Sequence, residues 1–301
     1  MAAPTTTEPE TVGVVTAELE GAARKAESRR GLLISLPSYV YLVVLFVVPL
    51  LLVLVYSFAT RDSTGLTVLR DWNLESYQRL FDPIVLEIFL RSLVLAVVTT
   101  VLCLLFSYPF AYFIATRSAG LRNILLVLVM IPFWSNFLVR TYAWRVILGA
   151  DGPISQLSVV LGGEPIRLLF TNTAVLIGLV YGFLPFMVLP LYAALERMDW
   201  RLVEAARDLY ADGFTAFRKV TLPLSMPGIV AGSILVFIPS LGAYVTPAIL
   251  GGAKTTLLGD YIVDQFLAAR NWPFGSALSF AVMFVMLLAT IFYFRAGAKS
   301  L

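Results

Sequence analysis

A chain of 301 residues that is 59% hydrophobic and only 14% charged cannot cover itself with a water-facing surface. With no histidine and one cysteine, Cys103, it lacks the material for His-based general catalysis, for disulfides, and for zinc or iron–sulfur centres built on Cys and His. A net charge of +3 is not the concentrated basic, aromatic-bearing face that nucleic acid requires, so no nucleic-acid partner is expected.

In chain order, residues 1–31 are polar and then charged, and predict a disordered cytoplasmic tail. The apolar run that follows is too long for a signal-peptide core, so the tail is expected to be retained. Residues 32–295 predict a membrane domain, and residues 296–301 a short cytoplasmic C-terminal tail. Within the domain, apolar residues gather into six runs, at about 33–58, 88–115, 122–142, 173–195, 226–249 and 274–294, each long enough to span lipid as a helix. All 19 Asp and Glu residues fall outside these runs, as expected where a carboxylate at mid-bilayer costs about 2.5–3.5 kcal/mol. The fold class is therefore an all-α membrane protein with six transmembrane helices. Placing the N-terminus inside puts the larger share of Lys and Arg on inner segments, which predicts both termini in the cytoplasm.

Several features mark the spans themselves. Pro49, Pro109, Pro132, Pro185, Pro190, Pro239 and Pro247 lie within or at the ends of spans, where each frees a backbone carbonyl and permits a kink. Cys103, in the second span, reads as packing. If the third span is helical to its end, Pro132, Asn136, Arg140 and Trp144 share one face at four-residue steps. That face reads either as a pathway or gate surface, or as an Arg snorkelling to the outer interface beside aromatic residues. Gly178 with Gly182, and Gly228 with Gly232, give the fourth and fifth spans small faces for close helix crossing.

The cytoplasmic connection at about 196–225 is the longest inner loop and reads as structure. Asp199 through Ala211 are good helix formers, with Ala205 and Ala206 offering a flat surface; Asp212-Gly213 breaks the helix, and a second short segment runs to Leu222-Pro223. Such a projection is a docking peg. Glu204-Ala205-Ala206 followed by Val220-Thr221-Leu222-Pro223 resembles the EAA loop of binding-protein-dependent ABC import permeases.

The resemblance implies a type I ABC importer permease fold in a bacterial plasma (inner) membrane. It implies an ATPase-coupling role for Glu204, Ala205, Ala206, Tyr210, Gly213, Leu222 and Pro223. The implied partners are a second homologous permease subunit, two copies of a cytosolic ABC ATPase, and an extracytoplasmic solute-binding protein. ATP and Mg belong to the ATPase, with no cofactor in this chain. Family members usually carry glycine four residues after the second alanine, where this chain has Tyr210, so Gly213 is the expected source of the turn. The chain is not expected to be an enzyme, because the nearest approach to a nucleotide-binding loop, Gly251-Gly252-Ala253-Lys254-Thr255-Thr256, lacks the Gly-Lys pair.

A finer resemblance, to the spermidine/putrescine branch, rests on Ile131-Pro132-Phe133-Trp134, Arg140-Thr141-Tyr142-Ala143-Trp144, Leu184-Pro185-Phe186-Met187-Val188-Leu189-Pro190, Leu250-Gly251-Gly252 and Asn271-Trp272-Pro273. It implies a small cationic solute, a polyamine. Trp134, Tyr142, Tyr181 and Tyr244 are then candidates for transient cation–π contact, and with Asn136 and Arg140 they form the candidate pathway set. Outer-loop acids such as Asp151, Asp260 and Asp264 are a further source of attraction. The alternatives are an ABC permease for another small organic solute, and a secondary transporter or channel. The last commonly carries ionisable residues in its spans, where this chain has Arg91 and Arg140 alone.

Overall fold

The computed structural model describes residues 35–62, 65, 67–69, 72–252 and 255–298. The expected N-terminal tail and Lys254 lie outside the described residues, as do residues 299–301. Two compact units are present, Met1–Val55 and Tyr56–Leu301. In the first, the described chain is helix α1, Ser35–Ser57, whose 23 residues run on into the start of the second unit. At 1.5 Å per residue its length is about 34 Å, enough to cross a hydrocarbon core of about 30 Å.

The second unit opens with a two-residue antiparallel pairing of β1 (Thr60–Arg61) with β2 (Thr67–Val68), followed by the single turn α2 (Glu75–Gln78). Helix α3 then runs unbroken from Pro83 to Ala115. Asp82 starts it: its carboxylate accepts the Ile84 N–H at 2.9 Å, and Pro83 supplies a pre-set first helical residue. Along the middle of α3 the buried face is a stripe of small side chains, Ser92, Ala96, Thr99, Cys103, Ser107 and Ala111, repeating every three or four residues, with the larger Tyr108 and Ile114 joining it toward the C-terminal end. In lipid, where apolar contact gives no preference for protein over acyl chain, such a stripe lets backbones approach and dispersion contacts accumulate. Cys103 is fully buried and its Sγ lies 3.7 Å from the Val180 carbonyl, which is the packing role expected of it.

The third span is not one helix. Helix α4 (Ala119–Trp134) and helix α5 (Phe137–Ile147) meet at 88° across Ser135-Asn136. The residue chemistry explains the break. Pro132 has no N–H to give the preceding turn, the Ser135 hydroxyl turns back to the Pro132 carbonyl at 2.6 Å, and Asn136 Oδ1 caps the new helix by accepting from Leu138 N–H at 2.8 Å. The continuous face from Pro132 to Trp144 therefore does not exist: Arg140 and Trp144 share a face of α5, while Pro132 belongs to a different axis. After α6 (Pro153–Val160), helix α7 runs from Asn172 to Glu196 and contains Pro185 and Pro190 without interruption. Proline is thus tolerated inside α3 and α7, and a sharp bend appears where Ser and Asn follow it.

The connection after α7 forms α8 (Arg201–Asp208), α9 (Gly213–Ala216), a π-turn at Phe217–Thr221 and the single turn α10 (Leu222–Leu224). Helix α11 (Met226–Leu241) leaves at 64° to the preceding segment. It stops at Gly242, short of the 226–249 run expected from hydropathy. Pro247, which cannot donate to the preceding turn, opens a second π-turn at Pro247–Gly251 instead. Helix α12 (Leu258–Leu267) and helix α13 (Trp272–Ala298) complete the described residues. Among the described residues, four helices, α1, α3, α7 and α13, are long and apolar enough to cross a membrane unbroken, and counting each of the two bent pairs as one span brings the number to six.

Helices α3, α7 and α11 form the centre of the second unit. A Cβ built on Gly228 would sit 2.6 Å from Ala194 Cβ and 2.7 Å from the Pro190 carbonyl oxygen, so α7 and α11 cross at a distance open to glycine alone. Gly178, Gly228 and Gly232 serve close packing within the chain, whereas a Cβ on Gly182 would meet only the Phe137 ring at 3.9 Å.

Candidate coupling site and pathway face

The peg between α7 and α11 has a small core of its own. Met198, Val203 and Ala216 are buried together, with Trp200, Ala206, Ala211 and Val220 packed around them. That core makes α8 and α9 one body. Its first helix ends in a Schellman arrangement: the Ala211 N–H bonds the Ala206 carbonyl at 3.1 Å and the Tyr210 N–H bonds the Arg207 carbonyl at 2.9 Å. The first residue past the helix in this pattern must be left-handed, and Tyr210 is, with φ +61°. Tyr210 therefore occupies the conformation that glycine supplies most cheaply, at the position where the resembling family usually has glycine. The expectation that Gly213 makes the turn is corrected: Gly213 is the first residue of α9, its φ is ordinary, and Asp212 in front of it is the cap. Asp212 accepts from Phe214 N–H at 3.2 Å, and hydrogen bonding, chiefly from the Thr215 side chain, holds its carboxyl below the usual carboxylate range.

The sequence-selected coupling residues fall into two groups. Glu204, Ala205, Tyr210 and Gly213 are exposed on the peg, with Ala206 turned partly into its core. Leu222 and Pro223 lie at its root, where Leu222 packs on the main core and Pro223 is exposed. Two residues that the motif does not include complete the tip: Leu209 is 81% exposed and Phe214 69%, on either side of a Tyr210 that is fully exposed. Large apolar side chains held out on a small rigid projection mark a binding surface. A sequence signal existed, since Leu209 and Phe214 flank the polar break at Asp212-Gly213.

The candidate pathway residues are brought together only in part. Arg140 and Tyr181 line one small cavity with Phe137, Thr141, Trp144, Gly178, Gly182 and Leu250. Within it the Trp144 and Tyr181 rings meet edge-on at 5.3 Å, and the Arg140 guanidinium lies 5.8 Å from the Phe137 ring. Arg140 Nε and Nη1 are buried without a hydrogen-bond partner among the described residues. Asn136 spends its side-chain oxygen on capping the first turn of α5. Trp134, Tyr142 and Tyr244 are exposed and do not line this cavity. Arg91 pairs with Glu87 one turn earlier on α3 at 2.7 Å.

Residues 107–298 match the family described as binding-protein-dependent transport system inner membrane component. The spermidine/putrescine transport system permease protein PotB of Haemophilus influenzae is 44% identical over 259 residues, covering 85% of this chain and 90% of that protein. The Escherichia coli protein of the same name is 43% identical over the same length, covering 94% of that protein. Among solved structures, a bacterial ABC transporter involved in the import of the acidic polysaccharide alginate aligns over 92% of this chain and 99% of its own, with a TM-score of 0.67 at 17% identity, which speaks for the fold. The chain belongs to the binding-protein-dependent inner membrane components, as a multi-pass, type I permease subunit of an ABC importer, a transport component and not an enzyme.

Proposed function

We propose that this permease moves a polyamine, spermidine or putrescine, inward across the bacterial inner membrane. The observation that carries the reading is its identity, across most of the chain, to permeases named for those solutes. The chain forms half of the pathway with a second, homologous permease subunit. A solute-binding protein delivers the amine on the outer side, and two ATPase subunits, which hold ATP and Mg, dock beneath. No cofactor is held in this chain. Both termini face the cytoplasm, on the side where basic residues concentrate.

In this reading the peg is the coupling element. Closure of the ATPases moves α8 and α9 as one body, and Glu204 offers a carboxylate to a basic group in the receiving cleft. The six runs hold no carboxylate, and Glu87 near the start of α3 is paired with Arg91, so an amine deep in the membrane meets aromatic faces instead. Trp134, Tyr142, Tyr181 and Tyr244 each offer about 0.5–2 kcal/mol of cation–π attraction, weak enough for release.

Vesicles containing both permeases, the ATPase and the binding protein are expected to accumulate radiolabelled spermidine or putrescine only when ATP is supplied. Accumulation without the ATPase, or accumulation that excess unlabelled polyamine fails to compete, would overturn the reading.

A further inference from the structure

The peg is joined to the membrane domain covalently through α7 and α11, yet it also makes specific side-chain contacts with a helix remote in sequence. Tyr112 of α3 meets Trp200 edge-on, ring centroids 5.6 Å apart, at the entrance to α8. One turn earlier on α3, Tyr108 meets Phe217 edge-on at 5.4 Å, where the π-turn leaves α9. The same Tyr108 places its hydroxyl 2.8 Å from Ser225 Oγ, in a buried hydrogen bond. Ser225 is the residue at which the 64° bend into α11 occurs, and its hydroxyl also bonds the Leu222 carbonyl at 3.0 Å.

Two tyrosines four residues apart on one face of α3 thus hold the way in, the way out and the bend of the peg. Each pair of rings is a specific geometry, not a smear of apolar area, and the hydroxyl pair sits where water cannot replace it. The peg's own core keeps Trp200 in register with Val220 and Ala216, so a displacement at its tip reaches both tyrosines together.

We propose that Tyr108 and Tyr112 are the joint through which movement of the coupling peg drives α3, with the Tyr108–Ser225 hydrogen bond tying that movement to the bend of α11. This rests on the peg being the ATPase dock. The two are positioning residues: they touch neither nucleotide nor solute, and act by making α3 follow the peg. Since α3 packs along both α7 and α11, a shift of its inner end reaches the whole centre of the unit.

The test uses the complete transporter in liposomes, measuring hydrolysis of ATP stimulated by the loaded binding protein and uptake of radiolabelled putrescine in the same vesicles. Tyr108→Phe and Tyr112→Leu are expected to retain the ATPase on purification while uptake per ATP falls about fivefold, the scale of one lost buried hydrogen bond or ring contact. Tyr112→Phe, which keeps the ring, is expected to restore the ratio. A ratio unchanged in Tyr108→Phe and Tyr112→Leu, with the ATPase bound, would overturn the joint. So would a Tyr112→Phe ratio as low as that of Tyr112→Leu. Failure of the underlying dock reads differently: a bulky residue at Glu204 or Gly213 would leave ATPase attachment untouched.

Discussion

Tyr210 concentrates the residue-scale argument, because the hydrogen-bond pattern that ends α8 fixes its backbone in the left-handed region whatever its side chain. A tyrosine there bears the clash of Cβ with the backbone that glycine avoids. Tyr210→Gly is therefore expected to leave the turn in place and slow hydrogen exchange at Ala211 by a few-fold, about fivefold at most once the greater freedom of glycine in the unfolded chain is counted. Tyr210→Val, with a branched Cβ, is expected to speed it. Exchange rates for residues 201–217 measured by mass spectrometry check both. A faster rate in the glycine variant would mean that the exposed ring contributes contacts beyond those described. The substitution also separates shape from chemistry, since a glycine variant with a sound turn but weakened ATPase binding assigns the ring itself to the interface.

At the scale of elements, the permease centre depends on close approach rather than on bulk. The small stripe of α3 and the glycines of α11 bring three helices together where neither charge nor a strong hydrophobic gradient exists to do so. Gly228→Val puts a branched side chain where even one carbon lies 2.6 Å from Ala194 Cβ. The expected cost is about 2–3 kcal/mol, within the overpacking range, seen as a lowered melting temperature of the detergent-solubilised protein. Gly213→Ala is the control: its Cβ would meet nothing within 4 Å, and stability is expected to hold or rise slightly. Equal effects at the two positions would remove the packing argument. The broken third span belongs to the same scale. Its apolar run is long enough for one helix, yet Ser135 and Asn136 offer the backbone local partners that outcompete continuation.

For the whole molecule, the question is how the permease subunit of an ABC importer receives work. The peg tip presents Leu209, Tyr210 and Phe214 almost fully to the outside, on a body held rigid by its own core. Buried in an ATPase cleft, such side chains are the anchors that decide affinity, with the charged residues around them setting orientation. Leu209→Ser with Phe214→Ser is expected to weaken ATPase attachment about tenfold or more, measured as the fraction co-purified from gently solubilised membranes. Replacing exposed apolar groups leaves the fold intact, so the permease itself should still purify. Undiminished co-purification would place the dock elsewhere.

The membrane class and the helical character of the 196–225 connection were legible in the amino-acid order, because each depends on a local quantity: run length, exclusion of carboxylates, or a short stretch of helix formers. So was the family. What the order of residues left open was decided by competition between distant groups. Hydropathy cannot say that the third run breaks at Asn136, since a single side-chain cap outweighs an apolar average. Nor can it say that the fifth helix stops at Gly242, or that Tyr210 and not Gly213 takes the left-handed position, because that is set by which carbonyls α8 has left to satisfy. The clasp of Tyr108 and Tyr112 on Trp200, Phe217 and Ser225 joins residues about ninety to a hundred and twenty positions apart. Such contacts exist only once the helices have packed, and geometry, not composition, chooses them.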